Sequence, residues 1–434
     1  MNNEAVKGEN VFKNRNYKLV FFGALVSEMG SIFYSFAVSF YLLKISDSNA
    51  LLQGIYIALC GAVMLLLTPL GGVLGDRLHK GKIMFVCDYI KGALILVSAL
   101  FMLLFRDSGA HIAILFVCGI LGSAISGVFS PSASALLPHI VEEDKLQQAN
   151  AYYTIRSSLQ SILGVVLAGV LYGALSIQLL FALVGVCYVL SGVSEMFIRY
   201  AHRPSEEKLT VGLMFGDMKD GMRYLRTQKA ILAMMAGMLF INFFFAPVTS
   251  NFLPYFINTD VAGASKYLLD KLLTPELWSS VFSMLFGLSS LVGAALLSSR
   301  PQKDKCGFAT ALKLCGMAVF MIIVCLSYWL LVDRGLSLNL FLLLFGAGCL
   351  LVGFLIVFIN IPANTAFMRL IERDKLSKVT GIISIASQGL IPIASALAGA
   401  VIQYFGSTAL LLFCAVGFTA TALLTLFNRQ IREI

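Results

Sequence analysis

Residues 51–82 read LLQGIYIALCGAVMLLLTPLGGVLGDRLHKGK. The first 24 of these residues, Leu51 to Leu74, contain no charged side chain. About 20 consecutive apolar residues are enough for an α-helix to cross a bilayer. Glycine and basic side chains follow at once, in residues 75–82. This order is typical of a membrane-spanning helix that ends in a short basic loop on the cytoplasmic side.

The whole chain has the composition of an integral membrane protein. Of its 434 residues, 59% are hydrophobic and 13% are charged, whereas soluble domains carry roughly 25% charged residues. A soluble fold would need many buried helices around one core, and such cores stop growing at about 250–300 residues. The net charge of +9 then reflects loop lysines and arginines beside the lipid bilayer. We expect no nucleic-acid partner.

The apolar runs predict an all-α fold of twelve transmembrane helices in two six-helix bundles. The predicted spans are 17–43, 51–75, 83–105, 111–138, 147–173, 177–199, 230–257, 276–299, 307–332, 339–367, 376–404 and 408–428. The bundles cover 17–199 and 230–428, the cytoplasmic termini are 1–16 and 429–434, and residues 200–228 form a cytoplasmic linker. In the linker, apolar residues recur at helical spacing from Phe215 to Leu225, which predicts an amphipathic helix along the inner membrane surface.

The basic residues support this count of spans. With the N-terminus placed in the cytoplasm, 27 of the 32 lysines and arginines fall on the cytoplasmic side and 5 on the other. One missed span would invert the sorting downstream of it. Residues 1–16 are polar and the first apolar run is long enough to remain as a span. We therefore predict a multi-pass protein of the plasma membrane with both termini in the cytoplasm.

Two short motifs indicate that the second half repeats the first. Span four ends in Ser130-Pro131-Ser132-Ala133 and then Asp144-Lys145-Leu146, and span ten ends in Ile361-Pro362-Ala363-Asn364 and then Asp374-Lys375-Leu376. The offset is 231 residues at the prolines and 230 at the second motif. Internal duplication of this kind is common in transporters.

The loop between spans two and three resembles the signature of the major facilitator family, G-x-L-x-D-R-x-G-R-[KR]. The matching residues are Gly72, Gly75, Asp76, Arg77 and Lys82, with His79 and Lys80 shifting the final residues by about one place. The resemblance implies the major facilitator fold and a cytoplasmic gate, in which this loop caps a neighbouring helix. Gly72, Gly75, Asp76 and Arg77 would belong to that gate, and we add Arg156 of span five.

Two further patterns narrow the resemblance to one branch of the family. One runs from Pro131 through Leu137-Pro138 and Asp144-Lys145-Leu146 to Ala149-Asn150, and the other runs from Phe215 to Asp220-Gly221-Met222-Arg223-Tyr224-Leu225. Both resemble macrolide exporters, the enterobactin exporter and lysophospholipid transporters.

Glu28 is the most informative single residue. It lies eleven positions into the first span, and an ionised carboxylate near mid-membrane costs at least about 2.5 kcal/mol. Such residues usually face an internal cavity, and Ser31 and Ser35 share a small, polar helix face with Glu28. We expect Glu28 to line the transport cavity and to exchange a proton during the cycle. The alternative is a structural hydrogen bond to another helix.

Neutral residues are the cavity candidates of the second half. They are Asn242, Asn360, Asn364, Ser384 and Gln388. Each of them could instead form a hydrogen bond between helices, which typically contributes about 0.6 kcal/mol to stability. Together with 33 phenylalanines and 16 methionines, they predict an apolar, weakly charged cavity suited to an amphipathic substrate.

Other charged residues lie near the cytoplasmic ends of spans. Asp88 and Lys91 are three residues apart in span three and predict a salt bridge within one helix. In the closed gate, Arg156 is expected to pair with an acid such as Glu142 or Glu143, or otherwise to extend toward the interface. Glu195 is expected at a gate or a helix interface.

These features predict a secondary active transporter that exports an amphipathic or hydrophobic small molecule, such as a macrolide-like drug, by proton-coupled alternating access. A lysophospholipid flippase and a proton-coupled importer are the alternatives within transport. A membrane acyltransferase is the alternative from another class, because His139 and Asp144 satisfy an HxxxxD spacing. The nine cysteines form no ligand spacing. We expect no enzyme activity, metal or cofactor, only the proton-motive force, and a functional monomer.

Overall fold

The computed structural model of the chain describes residues 11–142, 145–200, 223, 225–298, 307–370 and 388–428. After a short 3-10 helix, Val11–Lys13, the first half holds α1 (Arg15–Ile45), α2 (Ala50–Arg77), α3 (Lys80–Leu104), α4 (Ser108–Ile140), α5 and α6 (Ile177–Met196). Helix α5 consists of Leu146–Leu159, a π-helical turn at Gln160–Gly164, and Val165–Ala174.

The second half follows the same order. Helix α7 consists of Lys229–Pro247, a π-helical turn at Val248–Phe252, Leu253–Phe256 and a second π-helical turn at Ile257–Val261. The remaining helices are α8 (Pro275–Ser298), α9 (Gly307–Arg334), α10 (Leu338–Leu370), α11 (Ile391–Phe405) and α12 (Ser407–Phe427).

The predicted spans agree with these helices to within a few residues. Among the described residues, eleven helices are long and apolar enough to cross a membrane. The exception is α11, where 15 residues are described and the first part of the predicted span, 376–387, lies outside the described residues. Most of the predicted linker helix, the loop between α8 and α9 at 299–306 and the C-terminus at 429–434 also lie outside them. The all-α transmembrane fold is confirmed.

The prolines at the repeat motif do not interrupt their helices. Pro131 lies inside α4 and Pro362 inside α10. Pro247 does not end α7 either, because the helix continues through a π-helical turn that begins at Val248. Proline is tolerated in membrane helices where neighbouring groups or local π-helical geometry satisfy the freed backbone carbonyls.

The chain divides into two compact units. The first comprises residues 1–37 and 63–208, and the second comprises residues 38–62 and 209–434. In the first unit, α3 packs mainly on α6 and on α4. In the second, α9 packs in the same way on α12 and α10. Equivalent helices thus make equivalent pairs, as expected for two six-helix repeats.

Residues 38–62, the end of α1 and the start of α2, pack within the second unit. The N–H group of Ala50 donates to the Gln403 side chain at 3.1 Å, and Asn258 Nδ2 donates to Ser48 Oγ at 3.0 Å. These contacts tie the loop between α1 and α2 to α11 and α7.

Candidate functional site

The first unit holds an ion pair between α1 and α5. Arg156 Nη2 donates to Glu28 Oε1 at 2.8 Å, and the side chains are 4% and 42% exposed respectively. The guanidinium also lies 4.9 Å from the centre of the Tyr153 ring and 3.5 Å from the Phe21 carbonyl oxygen. A buried guanidinium needs a counter-charge, and Glu28 supplies it while remaining partly accessible.

The local structure of α5 places a second polar side chain beside this pair. Gln160 lies one helical turn after Arg156, and its Nε2 donates to the Leu25 carbonyl oxygen at 3.0 Å. The π-helical turn begins at Gln160. Gly164 ends that turn where a side chain would collide with α1, since an added Cβ would lie 2.7 Å from Ile32 Cδ1. Single π-helical turns inside α-helices are frequent at functional sites.

The predicted pairing of Arg156 with Glu142 is therefore not present among the described residues. Glu142 pairs instead with Lys145, at 2.6 Å and three residues away, and Glu143 lies outside the described residues. Glu142 is 70% exposed, whereas Arg156 faces α1 inside the bundle. The sequence proposed Glu28 and Arg156 for different sites, and the fold brings them together.

The predicted salt bridge between Asp88 and Lys91 is also absent. Lys91 Nζ donates to Ser126 Oγ of α4 at 2.6 Å and lies 5.1 Å from the centre of the Tyr188 ring. Asp88 is buried against α6. The spacing of three residues permits an ion pair, but the long lysine side chain reaches across to other helices.

Ser31 hydrogen-bonds the hydroxyl group of Tyr188 on α6, while Ser35 is exposed. Tyr188 and Ser126 are polar partners that the sequence did not single out. Tyr188 lies 157 residues from Ser31, and Ser126 lies 35 residues from Lys91. No local spacing in the sequence could have identified these pairs.

The described second-half candidates lie in α7, in α10 and just before α11. Asn242 is half-buried in α7, Asn360 is exposed in α10 and Gln388 is exposed before α11. The side chain of Asn364 and all of Ser384 lie outside the described residues. The sequence analysis did not single out Asn251, which is fully buried in the first π-helical turn of α7. Its side-chain amide donates to the Ser395 carbonyl oxygen of α11 at 3.2 Å.

At the α2 end of the predicted gate the structure describes mainly the backbone, and Arg156, the remaining gate candidate, pairs with Glu28. Gly72, Gly75, Asp76 and Arg77 form the last turns of α2, and a Cβ added to Gly72 would meet no atom within 4 Å. The side chains of Asp76 and Arg77 lie outside the described residues. The gate therefore stays a prediction, as does the acyltransferase spacing, because Asp144 is also outside them.

A small apolar pocket lies within the second unit. Its walls come from α7, α9, α10 and α12, and they include Met234, Gly237, Met238, Leu314 and Thr425. Ligand pockets typically have mainly hydrophobic walls. Methionine side chains adapt to ligands of irregular shape.

Comparison with known proteins identifies several relatives at low identity. The chain is 25% identical over 326 residues to the uncharacterized MFS-type transporter YkuC of Bacillus subtilis, covering 72% of this chain and 71% of that protein. It is 26% identical to the putative bacilysin exporter BacE of Bacillus subtilis, covering 60% and 61%. It is 25% identical to macrolide efflux protein A of Streptococcus pyogenes, covering 57% and 62%.

Solved structures share the fold. The crystal structure of a mutant form of the nucleoside transporter NupG superposes with a TM-score of 0.73 at 10% identity, covering 95% of this chain and all of that one. The model of the Major Facilitator Superfamily matches residues 20–395. This chain is therefore a multi-pass membrane protein that belongs to the Major Facilitator Superfamily of transporters.

Proposed function

We propose that this transporter exports an amphipathic or hydrophobic small molecule in exchange for protons. The observation that carries the proposal is the ion pair between Glu28 and Arg156, because it joins two helices of one unit through a carboxylate that is still accessible. The names of two relatives, an exporter and an efflux protein, support outward transport. The Met-lined pocket supports an apolar substrate.

A proton changes this site in a defined way. The ionised Glu28 carboxylate compensates the charge of Arg156, and a protonated carboxyl group does not. The guanidinium then keeps the Phe21 carbonyl group and the Tyr153 ring as its remaining partners. Proton binding therefore weakens the link between α1 and α5. A transporter uses such a change when it favours one conformation with the proton bound and another without it.

The energy of one proton is sufficient for useful export. One charge crossing 100 mV supplies about 2.3 kcal/mol, and one unit of pH gradient adds about 1.4 kcal/mol. Together they support a substrate gradient of roughly two to three powers of ten. A single carboxylate is enough for this coupling, and each chain holds both repeats, so we propose a functional monomer.

The test is transport in everted vesicles with an imposed proton gradient, with a macrolide as the first substrate and a lysophospholipid as the second. We expect proton-driven macrolide uptake into the vesicles in the wild type and in Glu28→Asp, and its loss in Glu28→Gln. The matched control is Glu142→Gln, which removes a carboxylate from an exposed loop pair and should leave transport unchanged.

The alternatives give different results in the same assay. Macrolide movement that is independent of the gradient and unchanged in Glu28→Gln would refute coupling through this residue. Lysophospholipid movement without macrolide movement would indicate a lipid flippase. Proton-driven movement in the opposite direction would indicate an importer.

A further inference from the structure

Two further carboxylates are buried in the first unit, apart from Glu28. They are Asp88 of α3 and Glu195 of α6, and each is 1% exposed. Glycine lets the two helices approach at this level. A Cβ added to Gly92 would lie 2.9 Å from Val189 Cγ2, and one added to Gly192 would lie 3.3 Å from the Phe85 carbonyl oxygen. The helices therefore enclose the two acids between their backbones.

Most oxygens of this cluster lack hydrogen-bond partners. Both carboxylate oxygens of Glu195, Asp88 Oδ2 and the Ser191 hydroxyl oxygen are buried with no partner within 3.5 Å, although Ser191 lies close enough to Asp88 to stabilise its charge. Buried polar groups are nearly always hydrogen-bonded, and an ionised carboxylate without partners is far more costly to bury than a neutral carboxyl group. The carboxylates of Asp88 and Glu195 are also close enough for their charges to repel. Two adjacent buried anions are therefore unfavourable here.

Within the described part of the first unit, one cation lies beside the acids. Lys91 of α3 interacts with the charge of Asp88 but donates its hydrogen bond to Ser126 of α4. Cys87 is the other titratable group whose charge would interact with the two acids. From α6, Tyr188 contacts Lys91 through its ring.

Gly23 of α1 packs against the cluster of Asp88, Glu195 and Ser191. A Cβ added to Gly23 would lie 3.4 Å from Glu195 Cγ and from Ser191 Oγ. Among the residues that the structure describes, neither Asp88 nor Glu195 forms a salt bridge. With both acids ionised, the acids and Lys91 carry a net charge of −1, and one added proton makes the cluster neutral.

We propose that Asp88 and Glu195 together bind one proton, at a site separate from Glu28. The carboxyl group that carries the proton can donate to the neighbouring acid or to Ser191, which gives partners to two of the four unpartnered oxygens. A metal cation fits less well, because hard cations require about six oxygen ligands and the cluster offers two carboxylates and one hydroxyl group. The proposal does not depend on the substrate or on the role of Glu28.

The test uses a hydrophobic carbodiimide, which reacts with protonated carboxyl groups in apolar surroundings. The full-length protein is labelled in detergent over a range of pH, and the modified residues are identified by peptide mass spectrometry. We expect labelling of Glu195 or Asp88 at neutral pH, with a rate that falls about tenfold per pH unit above its midpoint. We expect the same labelling in Glu28→Gln.

Two variants are expected to change the labelling of Glu195 in opposite directions. Asp88→Asn should reduce it at neutral pH, because the neighbouring negative charge that favours protonation of Glu195 is then gone. Lys91→Gln should extend it to higher pH, because the cation that opposes protonation is gone. A purely structural role for these residues would not give opposite shifts.

Infrared spectroscopy provides a readout that does not require the reagent to reach the site. The stretching band of a protonated carboxyl group should be present at neutral pH and lost in Glu195→Gln or in Asp88→Asn. Absence of both the band and the labelling at neutral pH in folded wild-type protein would overturn the proposal. So would sodium protection against labelling at constant pH, which would indicate a cation site.

Discussion

Gly54 of α2 and Gly399 of α11 are in backbone contact: a Cβ added to either residue would lie 2.9 Å from the Cα atom of the other. The added Cβ of Gly54 would also lie 2.6 Å from the Ser395 carbonyl oxygen. Both neighbours are backbone atoms, which cannot move aside without moving a helix. The contact is near the loop between α1 and α2, at the predicted extracellular end. Small residues permit such close approach of membrane helices.

The first prediction is that Gly54→Ala or Gly399→Ala separates α2 from α11. Overpacking costs about 1–3 kcal/mol, which shifts a two-state equilibrium about 5- to 150-fold. The measurement is thiol labelling of Gln53→Cys, a position only 1% exposed, in a variant without native cysteines. Labelling should become faster in either alanine variant.

The control for this experiment is Gly122→Ala, because a Cβ added there meets no atom within 4 Å. Its labelling rate should equal that of the parent protein. Equal rates in all of the variants would show that the contact does not limit access to α2.

The second prediction concerns the stability of the ion pair. Glu28→Gln leaves Arg156 buried without a counter-charge, so we expect a loss of about 1–3 kcal/mol in the free energy of unfolding. The double variant Glu28→Gln with Arg156→Gln should lose less than the sum of the two single variants, because the charge and its partner are removed together.

Thermal unfolding in detergent measures these differences. The exposed pair of Glu142 and Lys145 is the comparison, and Glu142→Gln should change stability by less than about 1 kcal/mol. Strict additivity at Glu28 and Arg156 would contradict an energetic coupling between them.

The third prediction tests the apolar pocket as a substrate site. Gly237→Leu places a branched side chain among Met234, Met238 and Thr425 and should raise the KM for a bulky apolar substrate by about tenfold or more. Gly237→Ala is the control, because its Cβ would lie 3.7 Å from Thr425 Oγ1, an ordinary contact. An unchanged KM in Gly237→Leu would show that the substrate does not bind in this pocket.

The fourth prediction concerns Tyr200, which follows α6 outside the membrane-spanning segments. Its hydroxyl oxygen accepts a hydrogen bond from the Lys80 N–H group at the start of α3, at 2.8 Å. Burial raises the pKa of the Tyr200 phenol, although the backbone N–H groups of Lys80 and Gly81 oppose this shift. The folded protein therefore favours the neutral phenol more than the unfolded chain does.

The stability from this shift is present below the pKa of the unfolded chain, about 10, and is lost as the pH rises through the pKa of the folded protein. The wild type should lose stability across this alkaline range, and Tyr200→Phe should lose less over the same range. Unfolding measured at pH 8 and above pH 10 gives the comparison. Equal alkaline losses in both proteins would exclude Tyr200 as the responsible group.

The spans and the repeat were predictable from the sequence. Each depends on local composition, since a bilayer requires about 20 apolar residues per helix and the prolines mark equivalent helix positions. Glu28 could also be singled out from the sequence, because a carboxylate in an apolar run is conspicuous. Outside α11, the predicted helices and the observed ones differ by only a few residues.

The partners of the charged residues were decided by the tertiary structure. Arg156 lies 128 residues from Glu28, and Asp88 and Glu195 are on different helices. Helical periodicity tells which residues share a face, but it does not tell which helix packs against that face or at what depth. The rotation and depth of each helix depend on packing across the whole bundle. This packing directs Lys91 away from Asp88, and it directs Arg156 toward Glu28.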